Sequence, residues 1–174
     1  MTSFGWYVVL IAAVALERVA ELRLSLRHAA WALDRGGIET GRGHYPPMVV
    51  LHTALLAGAL VEVAVAHRPW IPVLGWTMLA VVAAAQALRW WCIATLGVRW
   101  NTRVIVVPGL ALVTTGPYRF LRHPNYVAVV AEGVALPLVH TAWVTATVFT
   151  VLNAWLLTVR LRCENRALAT AARG

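Results

Sequence analysis

The sequence predicts an all-α, polytopic membrane protein with about five transmembrane helices. Of its 174 residues, 60% are hydrophobic, and the mean hydropathy is +0.71. Only 13% are charged, whereas soluble domains usually carry about 25%. So much apolar surface would have no water-facing complement in a soluble protein. We therefore expect one integral membrane domain over residues 1–174.

Five apolar segments are the candidate membrane helices, since a helix needs about 20 residues to cross the hydrocarbon core. They lie at about residues 4–22, 47–66, 70–96, 125–139 and 141–159. The first three form an N-terminal part, residues 1–96, and the fourth is short. Pro137 and His140 mark the break between the last two. Because a helix does not continue easily through a proline, these two are predicted to form a tight helical hairpin.

The positions of the arginines predict the orientation. All fifteen basic residues are arginine and the formal net charge is +8. Five crossings place on one side Arg23, Arg27, Arg35, Arg42, Arg99, Arg103, Arg119, Arg122, Arg160, Arg162, Arg166 and Arg173. The other side holds only Arg68. The positive-inside rule then puts the N-terminus outside and the C-terminus in the cytoplasm, in the cell inner membrane.

Two connections on the predicted cytoplasmic side, at about residues 23–45 and 97–124, are longer than ordinary helix connections. The chemistry is therefore expected on that face. Because the arginines lie between apolar segments and do not form one continuous surface, no nucleic-acid partner is expected.

Cysteine and histidine usage predicts neither a metal nor a disulfide framework. Cys92 and Cys163 do not form a C-x-x-C pair. His123 has no cluster of cysteine, histidine or carboxylate partners. The first three residues carry no basic side chain, so a cleavable signal peptide is not expected and the first segment should be retained.

Two stretches concentrate polar chemistry. Residues 114–126 read Thr-Thr-Gly-Pro-Tyr-Arg-Phe-Leu-Arg-His-Pro-Asn-Tyr; the Gly-Pro pair predicts a turn and the His-Pro pair the start of a helix. Such a stretch is also compatible with a simple interfacial anchor. Further on, Arg160 and Glu164 are four residues apart and share one helix face. They form either a surface ion pair or a charged pair that closes a pocket at the cytoplasmic rim.

Together these stretches resemble the isoprenylcysteine carboxyl methyltransferase family. The resemblance is carried by residues 112–118, residues 122–126 and the Arg160–Glu164 spacing, within the C-terminal 75 or so residues. It implies that the C-terminal part, residues 97–174, binds S-adenosyl-L-methionine, with Arg160 meeting the substrate and Arg160 and Glu164 as catalytic residues. The implied cofactor contacts are Arg103, Leu110, Ala111, Leu112, Val113, Tyr118, His123, Pro124, Asn125, Tyr126 and Glu164.

The chain also departs from the family pattern. It ends ten residues after Glu164, where the family continues with a further aromatic, charged helix, so that pocket wall is expected to be thinner or supplied from elsewhere. Residues 41–46 and 100–103 resemble a bacterial subgroup encoded beside type III polyketide synthases and thought to O-methylate alkylpyrones or alkylresorcinols. The implied substrate is a prenylcysteine-like or alkylpyrone-like amphiphile, and the second expected partner is membrane lipid.

The implied mechanism is an in-line displacement in which alignment supplies most of the catalysis. A carboxylate or an acidic enol is already ionised near neutral pH and needs no strong base. Arg160 is suited to draw that oxyanion to the membrane rim, because its charge is permanent and its fork binds planar oxyanions. Glu164 would balance the positive cofactor.

Polar residues inside the apolar segments have several interpretations. Glu62 is expected at the membrane interface. Glu132 either pairs with Arg89 or binds substrate as part of a tunnel wall. Hydrogen bonds that pack helices together are expected for His52, Gln86 and Asn153.

Three alternative functions stay open from the sequence. A lipid N-methyltransferase would favour an acidic residue at the position of Arg160. A sterol-type reductase that uses NADPH has a related helical core. A small transporter or scaffold would distribute polar residues along its helices, whereas here they cluster at one rim. The oligomeric state is not predicted.

Overall fold

The computed structural model describes residues 2–171, which are mostly helical (77%). The helices are α1 (Ser3–Leu33), α2 (Tyr45–Val65), α3 (Pro72–Leu96), α4 (Pro124–Leu138) and α5 (Trp143–Ala171). Within the described residues, four of them (α1, α2, α3 and α5) are long and apolar enough to cross a membrane. The chain is therefore an integral membrane protein. Met1 and Arg173, which the sequence assigned to the N-terminus and the C-terminal tail, lie outside the described residues.

Helix α1 continues well beyond its predicted end. It has 31 residues and is about 46 Å long, more than the hydrocarbon core requires. Its buried face continues through Glu21, Ser25 and Ala29 at helical spacing, which keeps the helix packed after its apolar run stops. The predicted connection at residues 23–45 is therefore wrong, and the two helices are joined by residues 34–44.

Helix α4 has 15 residues and spans only about 22 Å. Pro137 lies inside its last turn, not in the break. Residues 139–142 connect α4 to α5, and Thr141 adopts a positive φ of 55° there. The Thr141 hydroxyl donates to the Pro69 carbonyl at 2.6 Å, which ties this connection to the one between α2 and α3.

Glu62 organises the same end of the bundle. Its carboxylate accepts hydrogen bonds from the backbone N–H groups of Val144 (3.1 Å) and Thr145 (2.7 Å) in the first turn of α5. A carboxylate is favourable there because helix N-termini carry unpaired donors and a positive partial charge. Arg68 pairs with Glu62 at 2.9 Å, so this glutamate joins α2 to α5.

A small sheet joins the two long connections. Strands β1 (Ile38–Thr40) and β2 (Val104–Val106) pair antiparallel. Glu39 on β1 lies 3.7 Å from Arg103 just before β2 and 3.2 Å from Arg42. The sheet fixes both connections over the same end of the bundle, which also carries Arg160 and is called the arginine-rich end below.

The interior has an apolar half and a polar layer. The apolar core contains Tyr7, Ile11, Val14, Ala59, Val63, Val82, Ala135, Leu136, Val139 and Ala142. Between it and the arginine-rich end, Arg89 forms two bonds to Glu21, at 2.6 and 2.8 Å. Arg18 binds Glu21 at 2.8 Å and Gln86 at 2.7 Å. This polar layer joins α1 to α3.

Candidate active site

An apolar cavity of about 290 Å³ lies beneath the arginine-rich end. Its walls come from α1, α2, α4 and α5, with Arg89 of α3, and residues 100–102 cover it. Val19 on α1 and Thr53 on α2 line the cavity and are also exposed on the outer surface. The gap between these helices is therefore the candidate entrance to the cavity from the lipid side.

Arg160 lies at the polar end of this cavity and is only 6% exposed. Its Nε donates to the Tyr126 hydroxyl at 2.8 Å, its Nη2 to the Thr102 carbonyl at 2.6 Å, and its Nη1 approaches the Met48 sulfur at 3.3 Å. All three acceptors are neutral. Among residues 2–171 no carboxylate forms an ion pair with Arg160. Because its direct partners are neutral, the buried guanidinium keeps an attraction for an anionic group at this end of the cavity.

Tyr126 connects Arg160 to Glu164. Its hydroxyl donates to the Glu164 carboxylate while it accepts the bond from Arg160. The structure places Arg160 and Glu164 on one helix, as predicted, but they do not form a direct ion pair. Instead α5 presents both to the first turn of α4, where the tyrosine hydroxyl lies between them.

His123 extends the cluster away from the cavity. Its ring stacks on Tyr126 with 5.5 Å between centroids. Its Nδ1 lies 3.6 Å from the Glu164 carboxylate and its Nε2 3.1 Å from the Asn165 side chain. Hydrogen bonding to Glu164 raises the pKa of His123 above its ordinary value, although burial opposes the shift.

The start of α4 fixes the positions of Pro124 and Asn125, which lie between His123 and Tyr126 in the chain. Pro124 is buried as the first helical residue, where its missing N–H costs nothing. Asn125 follows and lines the cavity, and its side-chain oxygen is buried without a hydrogen-bond partner among the described residues. An unpaired buried acceptor next to the Tyr126 cluster is suited to a ligand that supplies an N–H or O–H donor.

The other predicted cofactor contacts lie apart from the cavity. Residues 110–112 are exposed, Val113 is partly buried, and Arg99 holds this segment through the Ala111 carbonyl at 2.7 Å. Tyr118 lies in a short 3-10 helix, where burial and its contact with Cys92 raise the pKa of its hydroxyl. Arg103 lies over the Tyr45 ring at 5.2 Å. The structure thus brings together the predicted residues of 123–126, Arg160 and Glu164, and leaves the others around them.

The first interpretation of Glu132, an ion pair with Arg89, is wrong. Arg89 forms its ion pair with Glu21 instead. Its carboxylate lies 3.5 Å from Arg18 instead. It borders a second, much smaller cavity that shares Arg18 and His52 with the first. Substrate contact by Glu132 stays a prediction.

Several cavity residues were not predicted from the sequence as members of the site. Asn101 and Thr102 form hydrogen bonds with Ser25 of α1 at 2.9 and 2.8 Å, and this contact holds the Thr102 carbonyl against Arg160.

Gln86 packs helices together as predicted, through hydrogen bonds with Arg18 and Glu17. Asn153 was wrongly assigned to helix packing, since its side chain lines the cavity. Its seven-residue separation from Arg160 was the available signal, because that spacing repeats one helix face.

Within residues 2–171 no group of three or more histidine, cysteine or acidic side chains could hold a metal ion.

Comparison with known proteins places the chain in a family. A Bacillus subtilis protein described as uncharacterized protein YpbQ is 37% identical over 160 residues, which cover 91% of this chain and 94% of that protein. A Haemophilus influenzae protein described as uncharacterized is 24% identical over 161 residues, which cover 91% of this chain and 92% of that protein. The family model described as isoprenylcysteine carboxyl methyltransferase matches residues 77–170, more than half of the chain and all of the Tyr126 cluster. The chain therefore belongs to the isoprenylcysteine carboxyl methyltransferase family, a family of membrane methyltransferases.

Proposed function

We propose that the protein transfers a methyl group from S-adenosyl-L-methionine to an oxygen of a lipid-like, amphiphilic substrate. The observation that carries this proposal is the buried guanidinium of Arg160, which has only neutral partners and lies at the polar end of an apolar cavity. An amphiphile with an anionic oxygen matches this arrangement, with its head at Arg160 and its tail in the opening between α1 and α2. The acceptor of a lipid N-methyltransferase is an amine, which is protonated near neutral pH until it gives up a proton to become the nucleophile. That cationic form would be repelled by the same arginine.

The residues around Tyr126 fit the proposed cofactor. S-adenosyl-L-methionine carries an ammonium group, a sulfonium cation and an adenine with N–H donors. Glu164 offers a carboxylate to the cationic groups, and the unpaired Asn125 oxygen offers an acceptor to a donor. When bound, the cofactor supplies an electrophilic methyl group. We assign the remaining cofactor contacts to Pro124 and, around the cluster, to Arg103, Tyr118 and residues 110–113.

The protein's own residues then have distinct tasks. Arg160 binds and orients the acceptor oxygen as an anion, so the site needs no strong general base. Tyr126 holds the guanidinium on one side of its hydroxyl and the Glu164 carboxylate on the other, which fixes the two charged groups relative to each other. Such alignment is the main help that a displacement of this kind requires.

We also propose how the chain crosses the membrane and on which side each terminus lies. In it α4 is a fifth, short crossing that pairs with α5 as a hairpin, the N-terminus lies outside and the arginine-rich end lies in the cytoplasm. The abundance of arginine at that end and its near absence at the other support this orientation. The bacterial inner membrane is the proposed location.

Two acceptor classes fit the anionic end of the cavity. A prenylcysteine-like carboxylate and the acidic hydroxyl of an alkylpyrone or alkylresorcinol both combine a planar oxyanion with an apolar tail. Residues 41–46 and 100–103 favour the second class through their resemblance to the polyketide-associated subgroup, and Trp100, Asn101 and Thr102 line the cavity.

The deciding experiment is a calorimetric titration of S-adenosyl-L-methionine into the purified protein in lipid nanodiscs, with Glu164→Ala as the comparison. Binding to the wild type that weakens at least tenfold in the variant would support the cofactor and its position. A panel of prenylcysteine, alkylpyrone and alkylresorcinol acceptors is then assayed for methyl transfer. A folded wild-type protein that does not bind the cofactor would refute the proposal.

A further inference from the structure

The deep end of the cavity contains polar groups that methyl transfer at Arg160 does not use. Asn153 on α5 lines the cavity and is 3% exposed. Its side-chain amide makes no hydrogen bond with any residue in the described range 2–171. An amide that faces the cavity without a protein partner is free to bond a ligand that enters the cavity.

His52 on α2 lines the same cavity. Its Nδ1 lies 2.8 Å from the Met48 carbonyl, and because a carbonyl only accepts, Nδ1 carries the proton. The neutral ring then has Nε2 as an acceptor, and within residues 2–171 nothing donates to it. Phe149 packs edge-on against the ring at 5.2 Å between centroids, which restricts its orientation.

The position of Asn153 relative to Arg160 gives the spacing of a second contact. The two residues are seven apart on α5, which is two helical turns, or about 10 Å along the axis. Both line the cavity, so they face the same bound molecule at different depths. Phe149, one helical turn before Asn153 on α5, packs against His52, so Asn153 and His52 line neighbouring parts of the wall. A hydroxyl group between them would donate to His52 Nε2 and accept from the Asn153 amide. A carbonyl would leave the histidine acceptor unpaired, and a methylene group would leave both unpaired.

Resting on the proposed function, in which Arg160 holds the anionic oxygen, we propose that Asn153 and His52 form a second polar subsite for a hydroxyl group within the apolar part of the substrate. The substrate class is then an amphiphile with an oxyanionic head and a hydroxyl in the middle of its tail, because two helical turns separate the Cα atoms of Arg160 and Asn153. The rest of the tail passes the hydroxyl subsite and leaves between α1 and α2, past Val19 and Thr53.

Positional isomers of one fatty acid test the spacing without any mutation. Stearate and hydroxystearates with the hydroxyl at carbon 3, 10 or 17 are titrated calorimetrically into the wild-type protein in nanodiscs. We expect the carbon-10 isomer to bind about three- to tenfold tighter than stearate, as one or two additional hydrogen bonds allow, and tighter than the other isomers. Equal affinities across the series would overturn the proposal.

Variants then locate the effect. Asn153→Leu and His52→Phe should each bring the ratio of the dissociation constants of stearate and 10-hydroxystearate to about one, whatever each variant does to the affinity for stearate itself. Thr158→Val is the matched control, because Thr158 is exposed on the same helix and bonds only to the Ala154 carbonyl; it should keep the wild-type ratio. A preference that persists in both cavity variants would place the hydroxyl elsewhere and refute the subsite.

The same samples separate the two proposals. Cofactor binding together with stearate binding that Arg160→Ala abolishes, but without any hydroxyl preference, would remove only the second subsite. Absence of cofactor binding would remove the proposed function.

Discussion

Arg89 and Arg160 are buried to nearly the same degree, 8% and 6% exposed, yet their guanidinium groups have opposite surroundings. Arg89 forms a two-point contact with the Glu21 carboxylate, at 2.6 and 2.8 Å. Arg160 has a hydroxyl, a carbonyl and a thioether as partners. Burial therefore does not distinguish the two arginines, and the charge of their partners does.

The comparison indicates how one residue type has two roles in this membrane protein. A buried arginine that is neutralised by a carboxylate holds helices together, and removing it leaves an uncompensated anion. A buried arginine with neutral partners is held in place but keeps its attraction for an anion. The first arrangement stabilises the bundle, and the second is suited to bind a ligand.

The largest expected effect is on turnover at Arg160. Arg160→Ala should abolish methyl transfer, a loss of at least about 100-fold, because the acceptor oxyanion loses its charged partner. Affinity for S-adenosyl-L-methionine should stay within about threefold, as measured by calorimetry. Arg162→Ala, an exposed arginine on the same helix, is the matched control. Equal loss of cofactor binding and turnover in Arg160→Ala would contradict this division of roles.

Substitution of Arg89 is expected to lower the stability of the protein. Arg89→Ala removes the two-point contact of the buried Glu21, which keeps only Arg18 as a cationic partner, and should lower the free energy of unfolding by up to about 3–5 kcal/mol. Denaturant unfolding in detergent micelles measures this change. The double variant Arg89→Met with Glu21→Gln should recover much of the loss, because neither charge is then left alone. An Arg89→Ala protein with normal stability would show that the contact is not structural.

A smaller effect is expected at the hydroxyl that joins the two charged groups of the site. Tyr126→Phe keeps the ring against His123 but removes the bonds to Arg160 and Glu164. Turnover should fall at least about tenfold, since one hydrogen bond to a charged group is worth roughly 1.5–3 kcal/mol. Steady-state kinetics at saturating cofactor measure it. An unchanged rate would mean that Arg160 is positioned by Thr102 alone.

The smallest expected effect is a pH dependence from His123. Its folded-state pKa is raised, so the protonated ring with Glu164 contributes stability below the unfolded pKa, and this contribution is lost as the pH rises through the folded value. The partly exposed pair should contribute less than about 1 kcal/mol. Unfolding of wild type and His123→Gln across that range measures it; parallel curves would exclude the effect.

The local patterns were predictable from the sequence because they depend on neighbouring residues. Apolar runs located the membrane helices, and the His-Pro pair located the start of α4. The end of α1 was not predictable in this way, because the residues after its apolar run are held in the helix by contacts with residues 100–102, far away in the chain. The two-stranded sheet likewise pairs three-residue strands from two separate connections, too short for a pattern.

The sequence by itself determined the membrane character of this protein, the family motif and the placement of Arg160 and Glu164 on one helix face, since composition and periodicity decide these. Only the tertiary structure decided which carboxylate each arginine contacts. Glu21 neutralises Arg89, Tyr126 separates Arg160 from Glu164, and Asn153 faces a cavity instead of a neighbouring helix. The physical reason is that charge compensation and cavity walls depend on how helices distant in the chain pack together, and helix spacing alone does not specify that packing.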